Sequence, residues 1–344
     1  MMRGEIGVCV VGAGRAGMIH AVNFRKNVPG ARLVAVADPM DENRKAACSE
    51  LGLDVCYSDY RDALANPDIH ALVVVAPTAF HRNIVVEAAA SGRHILCEKP
   101  MAINESECLE MIQAADRHGV NLQIGFMRRF DAGFRRAKEI VESGAIGGVV
   151  MVRSNTRGPS VPQPWMYDIA KSNGPLAEVC SHDIDALRWF TESEFVSVYA
   201  IGGNFRSPQA RAEFPEFYDN VVLSASFENG CQGMIDGAQG VGYGYDSRAE
   251  ILGTKGCVFV GRLQEHSVVT CTADTSEGAY PVVRSWRQLF EPAYLAEDMA
   301  FIESIANGTP PQVTGVDGLM AVRVVNAGNR SIIDKQIVQV SAKV

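Results

Sequence analysis

The sequence lacks the long apolar run that marks a membrane protein. A membrane-spanning helix needs about 18 or more consecutive apolar residues, and no stretch of the chain approaches that length. The opening residues, MMRGEIGVCVVG, have neither the usual hydrophobic region of a signal peptide nor a small-residue cleavage site. We therefore expect a soluble, cytoplasmic protein with no membrane partner.

The chain also has fewer basic residues than acidic ones. The chain has 32 Lys and Arg residues against 40 Asp and Glu residues, which gives a net charge of −8. Binding to a phosphate backbone depends on clustered Lys and Arg. The composition therefore argues against a nucleic-acid partner.

The cysteines lack any recognisable pattern. There are nine of them, an odd number, scattered along the chain and without a C-x-x-C spacing. Neither a disulfide framework nor a zinc site is indicated. We expect most of them to be small buried side chains in a reducing compartment, and we expect no metal site.

The chain is long enough for two domains: 344 residues, of which 47% are hydrophobic, can bury a large core. Up to about residue 125, short β-branched runs alternate with amphipathic stretches, the pattern of a parallel sheet covered by helices. Strands are predicted at 6–11, 32–37, 54–57, 71–75, 93–97 and 120–124. Helices are predicted near 16–27, 41–51, 59–65, 79–91 and 104–118.

Beyond residue 125 the pattern changes, and the strands with turn signals between them suggest antiparallel pairing. These strands are predicted at 148–155, 196–203, 219–227, 231–237, 247–253 and 256–260. Helices are predicted near 131–143, 176–191 and 291–307, and 157–174 reads as a long loop. We therefore predict two domains, 1–125 and 126–344, the second an α+β domain with a large, mainly antiparallel open sheet.

The stretch VVGAGRAGMIH carries a glycine-rich turn between the first strand and the first helix. Gly12, Gly14 and Gly17 form G-x-G-x-x-G, which permits a tight turn, close approach to a pyrophosphate and helix-to-strand packing. Backbone N–H groups at the helix N-terminus would bind the anion. This predicts a Rossmann dinucleotide-binding domain whose turn contacts the cofactor through Gly12, Ala13, Gly14, Arg15, Ala16 and Gly17.

Asp38 ends the second predicted strand, where a carboxylate accepts hydrogen bonds from the adenosine ribose. The same charge would repel the 2′-phosphate of NADP, and Pro39 and Met40 bring no cation to offset it. NAD is therefore the predicted cofactor. The alternative for Asp38 is a loop residue that caps the following helix.

The third main strand ends in APTAFH, whose small residues suit a loop close beneath a cofactor. Ala76, Pro77, Thr78 and His81 are the candidate contacts. His81, as a lone histidine at a helix start, is equally well explained as a surface residue.

The sequence CEKPMA follows the strand at 93–97 and places Lys99 at the carboxyl end of a parallel strand. Open α/β sheets bind ligands at that edge. The Lys99 ammonium could stabilise an alkoxide that develops as a hydroxyl loses its proton. The alternative is an ordinary solvated loop lysine.

The segment AEVCSHDIDALRW supplies a candidate base. Glu178, His182 and Asp185 are spaced four and three apart, so one continuous helix would place them on one face. A histidine has the right pKa to take a hydroxyl proton near neutral pH, and a carboxylate one turn away can orient it. The alternative is a buried structural histidine with helix-capping acids.

These motifs together resemble the Gfo/Idh/MocA oxidoreductase family, and within it inositol 2-dehydrogenases. The resemblance runs from residue 6 to about 307 and includes GFMRRFD, GPLAEVCSHDID and GYDSRAEILGTKG beside the motifs above. It implies a catalytic Lys99, often followed by a cis proline, with His182 as base. The family pattern has aspartate where this chain has Glu178.

The resemblance also implies contacts with cofactor and substrate. Glu98, Lys99, Met127 and Arg128 would lie beside the cofactor. Substrate contacts would come from Lys99, Met127, Arg128, Asn155, Thr156, Arg157, Glu178, His182, Tyr245 and Tyr294. The two tyrosines have an alternative as core or interface residues, and Glu297 and Asp298 are predicted to be solvated helix residues.

The predicted function is NAD-dependent oxidation of a ring CH–OH of myo- or scyllo-inositol, or a similar cyclic polyol, to a ketone. One alternative is another sugar, oxidised as an aldose at its anomeric carbon or reduced as a keto-sugar. Another is an NAD-binding regulator without turnover. A sheet with one face free of helices predicts a homo-oligomer, a tetramer or dimer by analogy with the family.

Overall fold

The computed structural model describes residues 5–265, 267 and 281–343. The chain forms two compact units. The first comprises Met1–Phe130 and Glu291–Val322, and the second comprises Asp131–Phe290 and Arg323–Val344. Among the described residues, no helix is both long and apolar enough to cross a membrane.

The first unit contains a six-stranded parallel sheet of order β3-β2-β1-β4-β5-β6. Its strands are β1 (Ile6–Val11), β2 (Ala31–Ala37), β3 (Cys56–Tyr57), β4 (Ala71–Val74), β5 (His94–Glu98) and β6 (Leu122–Gly125). The helices are α1 (Arg15–Lys26), α2 (Asp41–Leu51), α3 (Tyr60–Leu64), α4 (His81–Ala90) and α5 (Glu105–His118). This strand order reverses between β1 and β4, which is where doubly wound sheets bind dinucleotides.

Every residue of β1, β4 and β6 is buried, as expected for parallel strands covered on both faces. The core around β1 also takes in Phe301, Ile302 and Ile305 from far along the sequence. The predicted boundary therefore needs correction, because 126–344 is not one continuous domain. The apolar side chains of 291–322 are buried with the first sheet, although they follow the second sheet in sequence.

The second unit is built on a seven-stranded sheet of order β12-β11-β7-β10-β9-β8-β13. Its strands are β7 (Val149–Gly158), β8 (Phe195–Gly203), β9 (Asn220–Phe227), β10 (Gln232–Gln239), β11 (Asp246–Gly253), β12 (Cys257–Gly261) and β13 (Val338–Gln339). The helices from 131 onward are α6 (Ala132–Glu142), α7 (Ile169–Ser172), α8 (Gly174–Glu178), α9 (Ser181–Thr191), α10 (Trp286–Asn307) and α11 (Gly315–Asp334). Only the β7–β10 pair is parallel among the described strands of this sheet, so the predicted fold class is confirmed.

One face of this sheet carries α9, and the other, which we call the open face, has several exposed apolar side chains among the described residues. Strand pairing places Tyr199, Ile201, Val222 and Phe259 on the open face, where Ile201 is 60% and Phe259 75% exposed. On the covered face, a Cβ at Gly237 would lie 2.1 Å from the Cys180 sulfur. The glycine therefore allows the start of α9 to approach β10 closely.

The cysteines follow the prediction only in part. Cys9, Cys97, Cys108, Cys180 and Cys231 are buried and are not part of a disulfide, as expected. Cys48 on α2 and Cys56 on β3 instead form a disulfide, with Cα atoms 6.2 Å apart. Gly52, in the left-handed region at φ 59°, turns the chain back after α2 and brings the two together. Cys257 is half-buried, and Cys271 lies outside the described residues.

Candidate active site

The glycine turn has the geometry that a pyrophosphate requires. Gly12 has a φ of +103°, and a Cβ there would lie 2.7 Å from the Val75 carbonyl oxygen; a Cβ on Gly17 would lie 1.8 Å from that of Gly12. A Cβ on Gly14 would meet nothing within 4 Å. The first and third glycines are thus needed for packing. The second, Gly14, caps the N-terminus of α1 and has open space in front of it, where a dinucleotide can approach the backbone.

Asp38 lies at the end of β2, directly beside this turn. One carboxylate oxygen accepts a hydrogen bond from the Ala13 N–H at 2.7 Å, and the other accepts one from the Met40 N–H at 2.8 Å. Arg44, which the sequence reasoning overlooked, donates to the Asp38 carbonyl oxygen and pairs with Asp41. The carboxylate therefore lies where a ribose would be bound, and the nearby guanidinium is already engaged by another acid.

His81 is buried, with only 1% of its surface exposed, and is not a surface residue. Its Nδ1 lies 2.9 Å from the Pro100 carbonyl oxygen and its Nε2 lies 2.7 Å from that of Ala76. Burial lowers the pKa of His81, although the surrounding carbonyls oppose this. The ring thus braces the ends of β4 and β5 against each other. Thr78 is buried nearby, in a short 3₁₀ turn.

Lys99 follows β5 at the carboxyl edge of the parallel sheet. It is half-buried, and the Lys99–Pro100 peptide bond is cis, as the family resemblance implied. Glu98 is buried, and its Oε2 accepts a hydrogen bond from the Lys99 backbone N–H at 3.0 Å. A Cβ on Gly125, at the end of β6, would lie 2.9 Å from the Glu98 carboxyl carbon, so the glycine makes room for this side chain.

A buried polar cluster behind Glu98 was missed by the sequence reasoning. His20 of α1 lies 2.6 Å from Asp298 and 3.3 Å from Glu98, and all three are buried. Asp298 and Glu297 are fully buried, so the prediction that they are solvated helix residues is wrong. The cause is that this part of α10 is packed into the first unit. The available signal was the polar His20 among the buried positions of an amphipathic helix.

Part of this cluster also has the spacing that a metal ion would require, judged over the described residues. The candidate ligand atoms of His20, Glu98 and Glu297 lie within 4.8 Å of one another. Both ring nitrogens of His20 already face carboxylate oxygens, from Asp298 and Glu98. The expectation that the protein needs no metal stays a prediction.

His182 and Glu178 lie on different helices, so the continuous helix predicted over 176–191 is wrong. Helix α8 ends at Glu178 and α9 begins at Ser181, with Val179 at a φ of −110° between them. His182 is buried in the first turn of α9, Asp185 is buried one turn on, and Glu178 is half-buried. Glu178 and His182 therefore do not share one regular helix, and their i, i+4 spacing does not by itself fix their relative position.

Asn155, Thr156 and Arg157 are separated by the alternation of β7. Thr156 faces α9, where its hydroxyl donates to Asp183 at 2.6 Å. Asn155 and Arg157 project from the opposite, open face, where Arg157 is paired with Asp236. These three residues therefore do not present side chains to one ligand from one face. Their roles in substrate binding stay predictions.

The remaining candidates are buried within their own units. Met127 and Arg128 lie in a 3₁₀ turn after β6, each 2% exposed. Tyr294 contacts the His20 ring edge-on, and Tyr245 packs edge-on against Phe290. The two tyrosines are thus packed in the core of each unit, and their predicted contact with a substrate remains untested.

Comparison with known proteins agrees with this architecture. The profile described as "Oxidoreductase family, NAD-binding Rossmann fold" matches residues 6–126, and that of the "GFO/IDH/MocA C-terminal domain" matches residues 134–259. The scyllo-inositol 2-dehydrogenase (NAD(+)) of Bacillus subtilis is 32% identical, covering 99% of this chain and 98% of that protein. Myo-inositol 2-dehydrogenase of Thermotoga maritima is 32% identical, covering 96% and 97%.

A solved structure has the same fold over nearly the whole chain. The scyllo-inositol dehydrogenase of Lactobacillus casei, with bound cofactor NAD(H) and scyllo-inositol, superposes with a TM-score of 0.88 at 28% identity. The match covers 97% of this chain and 99% of that one. The predicted resemblance and the NAD cofactor are therefore confirmed. The chain belongs to the GFO/IDH/MocA family of oxidoreductases and carries an NAD-binding Rossmann domain.

Proposed function

We propose that this enzyme oxidises one ring CH–OH of an inositol, myo or scyllo, or of a similar cyclic polyol, to a ketone. The observation that carries the proposal is Lys99, held at the carboxyl edge of an NAD-binding sheet by a braced Glu98-Lys99-Pro100 segment. Relatives alike over nearly the whole chain are named for this reaction on inositols. A carboxyl-edge position is where open α/β sheets bind ligands.

The proposed chemistry assigns one task to each residue. His182 takes the proton of the reacting hydroxyl, and the Lys99 ammonium stabilises the developing alkoxide. NAD, when bound, accepts the hydride from the same carbon. The substrate thus loses one proton and one hydride, and becomes a ketone. The many hydroxyls of a cyclic polyol require hydrogen-bond donors such as Arg128. When the wrong stereoisomer binds, some of these donors have no partner, and this loss discriminates between isomers.

A substrate panel tests the proposed function. The purified protein is incubated with NAD and, separately, myo-inositol, scyllo-inositol and the aldohexoses, and reduced nicotinamide is followed by absorbance. We expect the highest kcat/KM with an inositol. A higher value with an aldose would contradict the proposal and favour oxidation at an anomeric carbon. Cofactor binding without reduction of NAD by any polyol would favour a regulator.

A lysine variant tests the mechanism. Lys99→Ala should lower kcat by about 10²- to 10⁴-fold, because the alkoxide loses its cation, while NAD binding measured by fluorescence is kept. Lys26→Ala, which removes an exposed lysine at the end of α1, is the matched control and should keep full activity. Near-full turnover by Lys99→Ala would refute the assignment.

We also propose that the protein is a homo-oligomer that works in the cytoplasm. The apolar side chains of Tyr199, Ile201 and Phe259 are exposed on the open face of the second sheet, and a second copy of the chain could cover them. The cytoplasm contains the NAD that the proposed reaction consumes. Cell fractionation with an antibody against the protein checks the location.

A further inference from the structure

A chain of buried hydrogen bonds links three elements of the first unit. The Asn23 amide of α1 donates to Asp298 Oδ2 at 2.8 Å, and Asp298 Oδ1 lies 2.6 Å from His20 Nδ1. His20 Nε2 lies 3.3 Å from Glu98 Oε1 at the end of β5. The chain ends on Lys99, whose backbone N–H donates to Glu98 Oε2 at 3.0 Å.

These contacts favour a charged His20. A neutral imidazole has one N–H, so contacts with two ionised carboxylates would require both ring nitrogens to be protonated and to donate. Burial by itself lowers the pKa of His20, but Asp298 and Glu98 outweigh it and raise that pKa well above the usual range. A protonated His20 would be stabilised by its two hydrogen-bonded neighbours, Asp298 and Glu98.

His20 is connected to Lys99 through a single carboxylate, that of Glu98. His20 lies in α1, the helix that begins at the glycine turn, and it is the buried partner of Glu98 Oε1. The opposite oxygen of the same carboxylate holds the peptide N–H of Lys99. Because both oxygens are engaged, the carboxylate plane is fixed, and with it the peptide that carries the Lys99 side chain.

We propose that His20 is a positioning residue, which clamps the Glu98 carboxylate beneath the Lys99 peptide and ties the helix of the glycine turn to the strand end that bears Lys99. This inference rests on the proposed function, because it assigns His20 an effect on the rate only through Lys99. The amide of Asn23 also donates to Asp298, and the rings of Tyr294 and His20 meet at nearly a right angle.

The first experiment measures a split between kcat and KM. His20→Gln should lower kcat by about 10- to 100-fold, because small displacements of catalytic groups cost that much. KM for the polyol and Kd for NAD should stay within about threefold, since the imidazole is hydrogen-bonded to Asp298 and Glu98 and not to the proposed cofactor-binding residues. Asp298→Asn should act in the same direction, and the double variant should be no slower than the slower single variant.

The matched control is His94→Gln. His94 begins β5, at the opposite end of the strand from Glu98, and its half-buried ring accepts a hydrogen bond from the Asn121 N–H at 3.0 Å. This variant loses a histidine hydrogen bond in the same unit, and its kcat should equal that of the wild type. An equal loss of kcat in His94→Gln and His20→Gln would overturn the proposal in favour of general destabilisation.

The second experiment separates this proposal from the proposed function. In a Lys99→Ala background, His20→Gln should leave the residual rate unchanged, because its effect passes through Lys99. A further large loss in that background would overturn the positioning role. If Lys99→Ala alone is fully active, the proposed function fails. If Lys99→Ala is inactive and His20→Gln keeps full kcat, only the positioning role fails.

A spectroscopic measurement on the wild type covers the case in which His20→Gln does not fold. In protein labelled with ¹⁵N-histidine, NMR should show protons on both nitrogens of one imidazole at pH 8, and this signal should be absent in Asp298→Asn. A ring that carries no proton on Nε2 would overturn the proposal, because it could not donate to Glu98. So would a stoichiometric metal ion in the purified protein that Asp298→Asn or His20→Gln removes.

Discussion

Asp38 shows how one carboxylate acts both in the fold and at a binding site. Its two oxygens accept backbone N–H groups from the glycine turn and from the residue before α2, and the group remains next to the space in front of Gly14. A carboxylate at this place is expected to accept hydrogen bonds from ribose hydroxyls and to repel a 2′-phosphate. We therefore propose that this one side chain sets the choice between NAD and NADP.

Replacing Asp38 with Ser should therefore shift the preference from NAD towards NADP. We expect kcat/KM with NAD to fall by about 10- to 100-fold through loss of a charge-assisted hydrogen bond, and the ratio of NADP to NAD efficiency to rise. Steady-state rates with both cofactors check this. Asp62→Ser, at an exposed position of α3, is the control. A wild type that already prefers NADP would contradict the assignment.

The clamp at His20 also predicts how stability changes with pH. The folded-state pKa of His20 lies above its unfolded value, so folding takes up a proton. This stabilisation is complete below the unfolded pKa of about 6.5 and is lost as the pH rises through the folded value. The urea-unfolding free energy should therefore fall more between pH 7 and pH 9 in the wild type than in His20→Gln. Equal slopes would contradict this.

At the scale of elements, the break between α8 and α9 separates Glu178 from the helix that carries His182. The segment keeps nearly helical backbone angles, but Val179 leaves the regular helix and Cys180 packs over Gly237 of β10. A residue on one helix cannot be aligned with one on another by counting along the sequence. The roles of Glu178 and His182 are therefore separable by experiment.

We expect His182→Asn to lower kcat by about 10²- to 10⁴-fold, since the proton acceptor itself is lost. Glu178→Gln keeps the size of the side chain and should lower kcat by only about tenfold, as expected for a group that contacts a hydroxyl or orients another residue. Pre-steady-state measurement of hydride transfer compares the two. Equal losses would show that the carboxylate and the imidazole act as one unit despite the break.

The alternation of side chains along β7 also affects the candidate site. Three consecutive residues, Asn155 to Arg157, match the family in sequence, but β7 directs Thr156 towards α9 and its neighbours towards the open face. Consecutive residues in a strand point to opposite faces. When consecutive residues of a strand match a family motif, only those on one face can contact a ligand bound at that face.

At the scale of the whole molecule, the proposed self-association depends on the open face of the second sheet. A sheet face with Ile201 60% and Phe259 75% exposed is costly in water. Covering it with an identical face would form a closed, symmetric assembly. Charged Arg153 and Glu250 lie on the same face and would contribute to the orientation of the partner.

Ile201→Asp should therefore reduce the assembly to a smaller species, since it buries a charge in the proposed interface. Light scattering coupled to size-exclusion chromatography measures the mass. Val55→Asp, at an exposed apolar position in the first unit, is the control and should leave the mass unchanged. A monomeric wild type, or an unchanged mass for Ile201→Asp, would contradict the proposed interface.

Local patterns were enough for much of this protein. Strand β1 and helix α2 have the predicted limits, and the glycine turn has the predicted place, because these features depend on neighbours in sequence. Helix α11 was not predicted, since 315–334 combines glycines with β-branched residues of low helix propensity. Burial stabilises it where propensity does not.

The sequence by itself determined the parallel sheet, the NAD-binding turn and the placement of Lys99 at a strand end, because each is written in a short, contiguous pattern. The tertiary structure alone decided that 291–322 belongs with the first sheet, that Cys48 meets Cys56, and that His20 lies between Glu98 and Asp298. The last two acids are 200 residues apart in sequence. Contacts over such distances depend on which apolar surfaces pack together, and no local pattern records that choice.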